Sequence, residues 1–487
     1  MNLPDAAAAA LAGLLPTAPA ATGTAPADQR LREFFRTHPQ LGKRDRQQIG
    51  DLVFDVLRNL RLYEALAIEG VGQGAATAHV SPGATGDVPG GLTEDFSVNA
   101  SEGVSEKARL SGKRSGKPSA KPSAKPAKPS GSASGKPPAQ AREALERGRR
   151  LVAVATAMAA GAPAKSPARG SIEVPANGPA AAPADAGDRE VEAIAARLPD
   201  AVRYSMPDWL WEKLQASHGE RAGGIAAALL QPSPIDIRAN LLLGKAEDLA
   251  RRLREQGVEA EAIAGVPTGL RVIGRPNLEK LDLFERGWFE IQDAGSQRIV
   301  DFCEPRRGHL VVVFCAGAGG KSLAMAARMR NSGKVLAFDT GDERLSRLMP
   351  RARRAGVGIV EPMRIDGVGD ARLARYRGRA DLVLVDAPCS GTGTLRRSPD
   401  MKWRLSPKRL LQHVAEQRAI LAAASALVKP GGKLVYATCS LLQEENERQV
   451  AEFARPGFEL IDSRSFLPDE GPSSGFFVAK WELASRP

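Results

Sequence analysis

The 487-residue sequence holds only four cysteines, which excludes a disulfide-stapled scaffold and points to a reducing compartment. Its five histidines never stand at ligand spacing from a cysteine pair, so no zinc or other metal site is expected. Long apolar runs are missing too. The stretch after Arg150, LVAVATAMAAGAPA, falls short of the roughly 20 residues that a bilayer span takes. The Ala-rich start, MNLPDAAAAALAGLLPTAPAA, has no Lys or Arg ahead of its apolar part and makes a poor export signal. The expectation is a cytoplasmic monomer without a membrane segment.

What is present is ordinary in bulk and uneven in distribution. Hydrophobic residues make up 43% and charged residues 25%, the balance of a folded protein, and the length calls for two or three domains. Lys and Arg outnumber Asp and Glu by 68 to 56, a net +12. Residues 101–150 alone carry thirteen Lys/Arg against four Glu, so most of the excess sits in one segment. That segment includes SGKPSAKPSAKPAKPSGSASGKPPA, which buries too little apolar surface to offset its chain entropy.

The organisation expected is therefore a helical segment over 1–70, a disordered basic linker over 71–140, and a second helical segment over 141–230 that completes the N-terminal domain. Between Asp28 and Leu66, residues Ile49, Leu52, Val53, Val56, Leu57 and Leu60 recur at helical spacing. Residues 231–293 read as a small α+β unit: PIDIRANLL, LRVIG and WFEIQD as strands, AEDLARRLREQG as a helix. From 294 to 487 the strands LVVVFCAG, KVLAFD, DLVLVDAP and KLVYATCS alternate with helices, the pattern of a doubly wound parallel sheet.

Directly after LVVVF comes a glycine-rich turn running into a helix: Cys315, Ala316, Gly317, Ala318, Gly319, Gly320 and Lys321. Such a turn lets backbone N–H groups approach a ligand. Asp339 ends the next strand, where an acid accepts hydrogen bonds from ribose hydroxyls. This pairing fits a dinucleotide or S-adenosylmethionine. Two cysteines stand at equivalent places, Cys389 after DLVLVDAP and Cys439 after KLVYAT. Parallel strands bind ligands at their carboxyl ends, so both thiols should face one crevice together with Asp386.

DAPCSGTGTLRRSPDMKWR at 386–404 and YATCSLLQEENERQV at 436–450 resemble the paired motifs of the RsmB/NOP (Fmu/Sun) RNA cytosine-C5 methyltransferases, and CAGAGGK at 315–321 is similar to that family's cofactor loop. The small α+β unit resembles its RNA-binding subdomain, and LREFFRTHPQLGKRDRQQIGDLVFDVLR is similar to the NusB-like module of one branch. The resemblance implies a Rossmann-like, S-adenosylmethionine-dependent methyltransferase domain acting on RNA, ribosomal RNA in particular. It implies that Cys439 bonds to C6 of the cytosine and that Cys389 removes the C5 proton or expels the nucleophile. Asp386 is expected at the base edge near N3, Lys321 near cofactor and base, and Asp366 near the adenine, with Asp370 as its substitute.

Arg396, Arg397, Lys402, Trp403 and Arg404 follow the first motif and are expected to grip RNA phosphates and stack a base. Glu444, Glu445 and Asn446 stand where a helix should begin, and capping accounts for them. The chain departs from the family's pattern at Val313 and Ser474, each in place of an aspartate, and at Ala318 in place of a proline. Val313 motivates a rival reading: an RNA-binding or ribosome-assembly factor that no longer transfers methyl groups.

Overall fold

A computed structural model describes residues 2–15, 25–69, 139–161, 186–471 and 473–485. The expected basic linker lies outside the described residues, apart from the helical 139 and 140. Strands β1 (Ile235–Ala239), β2 (Ala260–Ala262), β3 (Gly269–Val272) and β4 (Phe289–Ile291) pair antiparallel in the order β2-β3-β1-β4. The Ala246–Glu255 helix covers this sheet because Ala246, Leu249 and Leu253 share one face and meet Ile237, Leu270 and Phe289.

The remaining strands form one seven-stranded sheet. These are β5 (Leu310–Phe314), β6 (Lys334–Asp339), β7 (Val360–Arg364), β8 (Ala380–Asp386), β9 (Val428–Thr438), β10 (Phe458–Phe466) and β11 (Phe476–Leu483). Their order is β10-β11-β9-β8-β5-β6-β7, parallel from β9 to β7 and antiparallel along the β10–β11 edge. Successive β5 side chains enter opposite apolar layers, Val311 and Val313 into one, Val312 and Phe314 into the other. Burial on both faces is why this strand reads as an unbroken apolar run. The carboxyl ends of β5, β6, β8 and β9 meet along one rim, and the site is built there.

Five helices make the N-terminal part: α1 (Leu3–Leu14), α2 (Ala27–Thr37), α3 (Lys43–Ile68), α4 (Ala139–Gly161) and α5 (Ala186–Arg197). They share one core containing Leu11, Leu31, Val53, Leu57, Leu151 and Ile194. The Ala-rich start is thus a packed helix. Its small side chains let α4 approach so closely that a Cβ on Gly148 would meet the Ala8 carbonyl oxygen at 2.7 Å. The helical stretch expected from 28 to 66 is two helices, parted between Thr37 and Lys43 at HPQLG, where Pro39 has no N–H to give. The Asp208–His218 and Ala222–Leu229 helices join a different core, with Leu395, Leu441 and Leu442 of the two cysteine motifs and Leu410 of the Pro407–Ser425 helix. Among the described residues no helix is long and apolar enough to cross a membrane.

Candidate active site

Strands β8 and β9 are parallel neighbours, with Asp386 opposite Ala437, so the turns that follow them bring the two cysteine motifs side by side. Cys389 Sγ and Cys439 Sγ lie 3.3 Å apart, as free thiols in hydrogen-bond contact. The backbone ties the motifs further: Gly393 N donates to Cys439 O at 2.9 Å, and Leu441 N donates to Thr392 Oγ1 at 2.8 Å. Gly393 has to be glycine, because a Cβ there would meet Gly475 O at 2.1 Å. The bond to Cys439, then burial, then the negative charges of Cys439 and Glu445 push the Cys389 thiol well above its ordinary range. Cys389 therefore holds its proton.

Lys321, in the first turn of the Gly320–Arg328 helix, reaches across to Asp386 at the end of β8, Nζ to Oδ2 2.8 Å. Burial lowers the ammonium, but Asp386 and the two cysteine sulfurs outweigh it and leave the group above its ordinary value. A permanent cation thus sits beside the thiol pair, where it favours a thiolate. Asp386 keeps 30% of its side chain open to the crevice.

The glycine turn is wound through left-handed conformations at Cys315 (φ 58°), Gly317 (φ 55°) and Gly319 (φ 83°). A Cβ on Gly319 would strike Leu348 Cγ at 2.5 Å, whereas one on Gly317 meets nothing within 4 Å, so the turn is packed below and open above. Burial first, then the charges of Asp386 and Asp339, pushes Cys315 up to about 12, which makes it an inert thiol. Asp339 accepts from Gly317 N and Gly341 N, both at 2.7 Å, and from Arg344 at 3.0 Å. Its carboxylate is nearly covered, under the exposed Arg344. Arg351 Nη1 donates to Ala318 O at 2.8 Å and Arg238 Nη1 to Gly320 O at 3.0 Å, so the β1–β4 subdomain also holds this turn. Asp366, just past β7, is exposed and paired with Arg364 at 2.9 Å. Asp370 is taken up by Arg372 and by the backbone N–H groups of Asp366 and Arg372.

Residues 300–482 match the family model described as 16S rRNA methyltransferase RsmB/F, and residues 206–279 match the ferredoxin-like domain of RsmF/B-like methyltransferases. The probable ribosomal RNA small subunit methyltransferase B of Synechocystis is 34% identical over 305 residues, covering 58% of this chain and 68% of the relative. The chain belongs to the ribosomal RNA small subunit methyltransferase B family. Its Klebsiella pneumoniae relative of that name is 33% identical over 60% of this chain and 69% of its own. A methyltransferase homolog from Pyrococcus horikoshii superposes with a TM-score of 0.52 at 27% identity, covering 58% of this chain and 97% of that one. The NSun6 structure from the same organism, solved with SFG, shares the fold at a TM-score of 0.53 and 22% identity, over 57% of this chain and 99% of that one.

On the substrate side the structure revises the expectation for the family member's basic loop. Lys402 is buried and donates to the main-chain oxygen of Arg58 at 2.7 Å, and Trp403 Nε1 donates to Leu57 O at 2.8 Å. Arg396 is buried as well, donating to Pro232 O at 3.2 Å. Arg404 is held by Asp400 at 3.0 Å. Lys402 and Trp403 close the seam with the N-terminal helices, so their heads are not presented to a phosphate. Arg397 is the exception: it is exposed, and paired with Asp293 at 3.0 Å. Ser474 Oγ donates to the same Asp293 oxygen at 2.6 Å, where an aspartate would repel it. Val313 lies in the apolar layer under the turn. The Glu447–Glu452 helix starts later than expected, and Glu445 is not its cap but a fully buried carboxylate. Among the described residues no group of acidic, His or Cys side chains is assembled to hold a metal ion.

Proposed function

We propose that the protein methylates C5 of a cytosine in ribosomal RNA through a covalent bond between Cys439 and C6 of the base. Family membership gives the coarser activity, S-adenosylmethionine-dependent methylation of ribosomal RNA. The observation that carries the finer reading is the thiol pair, 3.3 Å apart beside the Lys321–Asp386 ion pair.

The residues present fit the cofactor. Asp339 has used three of the roughly four lone-pair sites of a carboxylate, leaving one for a ribose hydroxyl, and the face of Gly317 is open to a ligand. The Cys315–Lys321 turn and Asp339 would hold the amino-acid and ribose parts, with Asp366 near the adenine. When bound, S-adenosylmethionine supplies an electrophilic methyl group. Cys439, as thiolate, adds to C6 and makes C5 nucleophilic, which is covalent catalysis. Asp386 hydrogen-bonds the base edge near N3 and steadies charge pushed onto the ring. Once Cys439 is a neutral thioether, its charge no longer holds the proton on Cys389. That proton passes to solvent water, and the Cys389 thiolate then takes the C5 proton, the C5–H pair forms the C5=C6 bond, and the Cys439–C6 pair returns to sulfur. Arg397 remains the loop's candidate for an RNA phosphate. Bisulfite sequencing of ribosomal RNA from cells with and without the gene tests this reading. A protected cytosine lost on deletion supports it, and an unchanged pattern opposes it.

A further inference from the structure

Each cysteine of the pair is followed by a serine, and a chain of the two hydroxyls ends on one carboxylate. Glu445 Oε1 accepts from Ser390 N at 2.8 Å and from Gln417 Nε2 at 3.0 Å, while Oε2 accepts from Ser390 Oγ. Ser440 Oγ lies 3.2 Å from Ser390 Oγ, so the two hydroxyls form a chain that ends on the carboxylate. Gln417 continues the strap to Pro388 O at 2.9 Å, the residue just before Cys389. Tyr436, three residues before Cys439, donates its hydroxyl to the Glu445 main-chain oxygen at 2.7 Å.

Glu445 is 0% exposed, and among the described residues no cation pairs with it. Burying a carboxylate this way is expensive, and apolar packing of similar volume costs less. Hydrogen bonds offset part of the cost, yet burial still raises the carboxyl above its ordinary range. Helix capping does not account for it, since the helix that follows begins at Glu447. What the carboxylate does have is a direct hold on Ser390 of one cysteine motif and, through it, a link to Ser440 of the other, 50 residues away in sequence.

We propose that Glu445 is a positioning residue that, through Ser390 and Ser440, sets the distance between Cys389 and Cys439. This rests on the reading of the pair as the reactive thiols. A bond that forms on one sulfur and breaks with help from the other needs both held on the same base, and an error of about 1 Å in such a geometry costs on the order of a hundredfold in rate. Removing the strap should spare attack by Cys439, which needs one thiol, and slow release, which needs two.

The test uses the full chain and Glu445→Gln, with Ser440→Ala as a second variant that keeps the carboxylate and cuts its link to the second motif. Phenylarsine oxide condenses with two neighbouring thiols, losing water, and reports their spacing without RNA or cofactor. Cys389→Ala and Cys439→Ala, each lacking one sulfur, fix the signal of a broken pair. The variants should bind the arsenical about tenfold more weakly than the wild type while their unfolding remains cooperative. With RNA and cofactor they should accumulate a protein–RNA adduct that the wild type clears. Wild-type arsenical affinity and wild-type clearance in folded variants would overturn the proposal. If Glu445→Gln fails to fold, Ser440→Ala decides by the same criteria. A wild type that forms no adduct on RNA containing 5-fluorocytosine would defeat the covalent reading, and the arsenical titration would still decide the positioning one.

Discussion

Lys402 Nζ donates to the main-chain oxygen of Arg58 across 344 residues of sequence. The reason lies in α3, whose backbone leaves helical geometry at Asn59 (φ −110°, ψ 20°). A break of this kind frees carbonyl groups inside the helix, and buried carbonyls need partners. The catalytic loop supplies them: the Lys402 ammonium for Arg58 and the Trp403 indole N–H for Leu57. A helix of the N-terminal part is thereby fastened to the loop that carries Cys389.

The fastening predicts a division between neighbouring cations. Lys402→Ala should destabilise the full chain by about 1–3 kcal/mol in denaturant, the cost of an orphaned buried carbonyl, and leave the salt dependence of RNA binding unchanged. Arg397→Ala should leave stability within about 0.5 kcal/mol and reduce the slope of log affinity against log salt by about one phosphate contact. A reduced salt slope in Lys402→Ala would restore the phosphate role that burial denies it.

Asp339 predicts a cofactor effect. Asp339→Ala removes the acceptor of Gly317 N and Gly341 N together with the remaining ribose site, and S-adenosylmethionine binding should weaken by about 1–3 kcal/mol in calorimetry. Unchanged affinity would take Asp339 out of the cofactor site.

A third prediction concerns acid stability. His413, in the Pro407–Ser425 helix, is buried, its Nδ1 has no hydrogen-bond partner, and the nearest carboxylate, Glu416, is 3.9 Å away. Burial first, and Arg409 next, lower its pKa to about 4. The unfolded chain takes up the proton at about 6.5, so the stability His413 contributes is present above that pH and is lost as pH falls through about 4. Wild type should lose about 1–2 kcal/mol relative to His413→Gln between pH 7 and pH 4. Parallel stability curves for the two proteins would contradict this.

Much of the fold was legible because its central strands are buried on both faces. LVVVF and LVLV are β-branched and aromatic runs that admit little else, and they became β5 and β8. Strand β7 was not legible, since VEPMR carries a proline and two exposed charged residues, Glu361 and Arg364. The cysteine pair was legible because each cysteine stands just past a parallel strand, at the end where such sheets bind ligands. Lys402 and Trp403 were misread because a charge-rich loop looks solvated until the helix break at Asn59, far away in sequence, is known. Glu445 was misread for the opposite reason: a glutamate before a helix has a sufficient local explanation, and nothing local reveals that Ser390 of the other cysteine motif binds it.

The claim that Cys439 bonds to the base while Cys389 releases it is tested most directly by incubating Cys389→Ala and Cys439→Ala with substrate RNA and cofactor, then running denaturing gels. The account predicts a stable protein–RNA adduct from Cys389→Ala and none from Cys439→Ala, because removing the later participant strands the covalent intermediate. An adduct from Cys439→Ala with none from Cys389→Ala would contradict it.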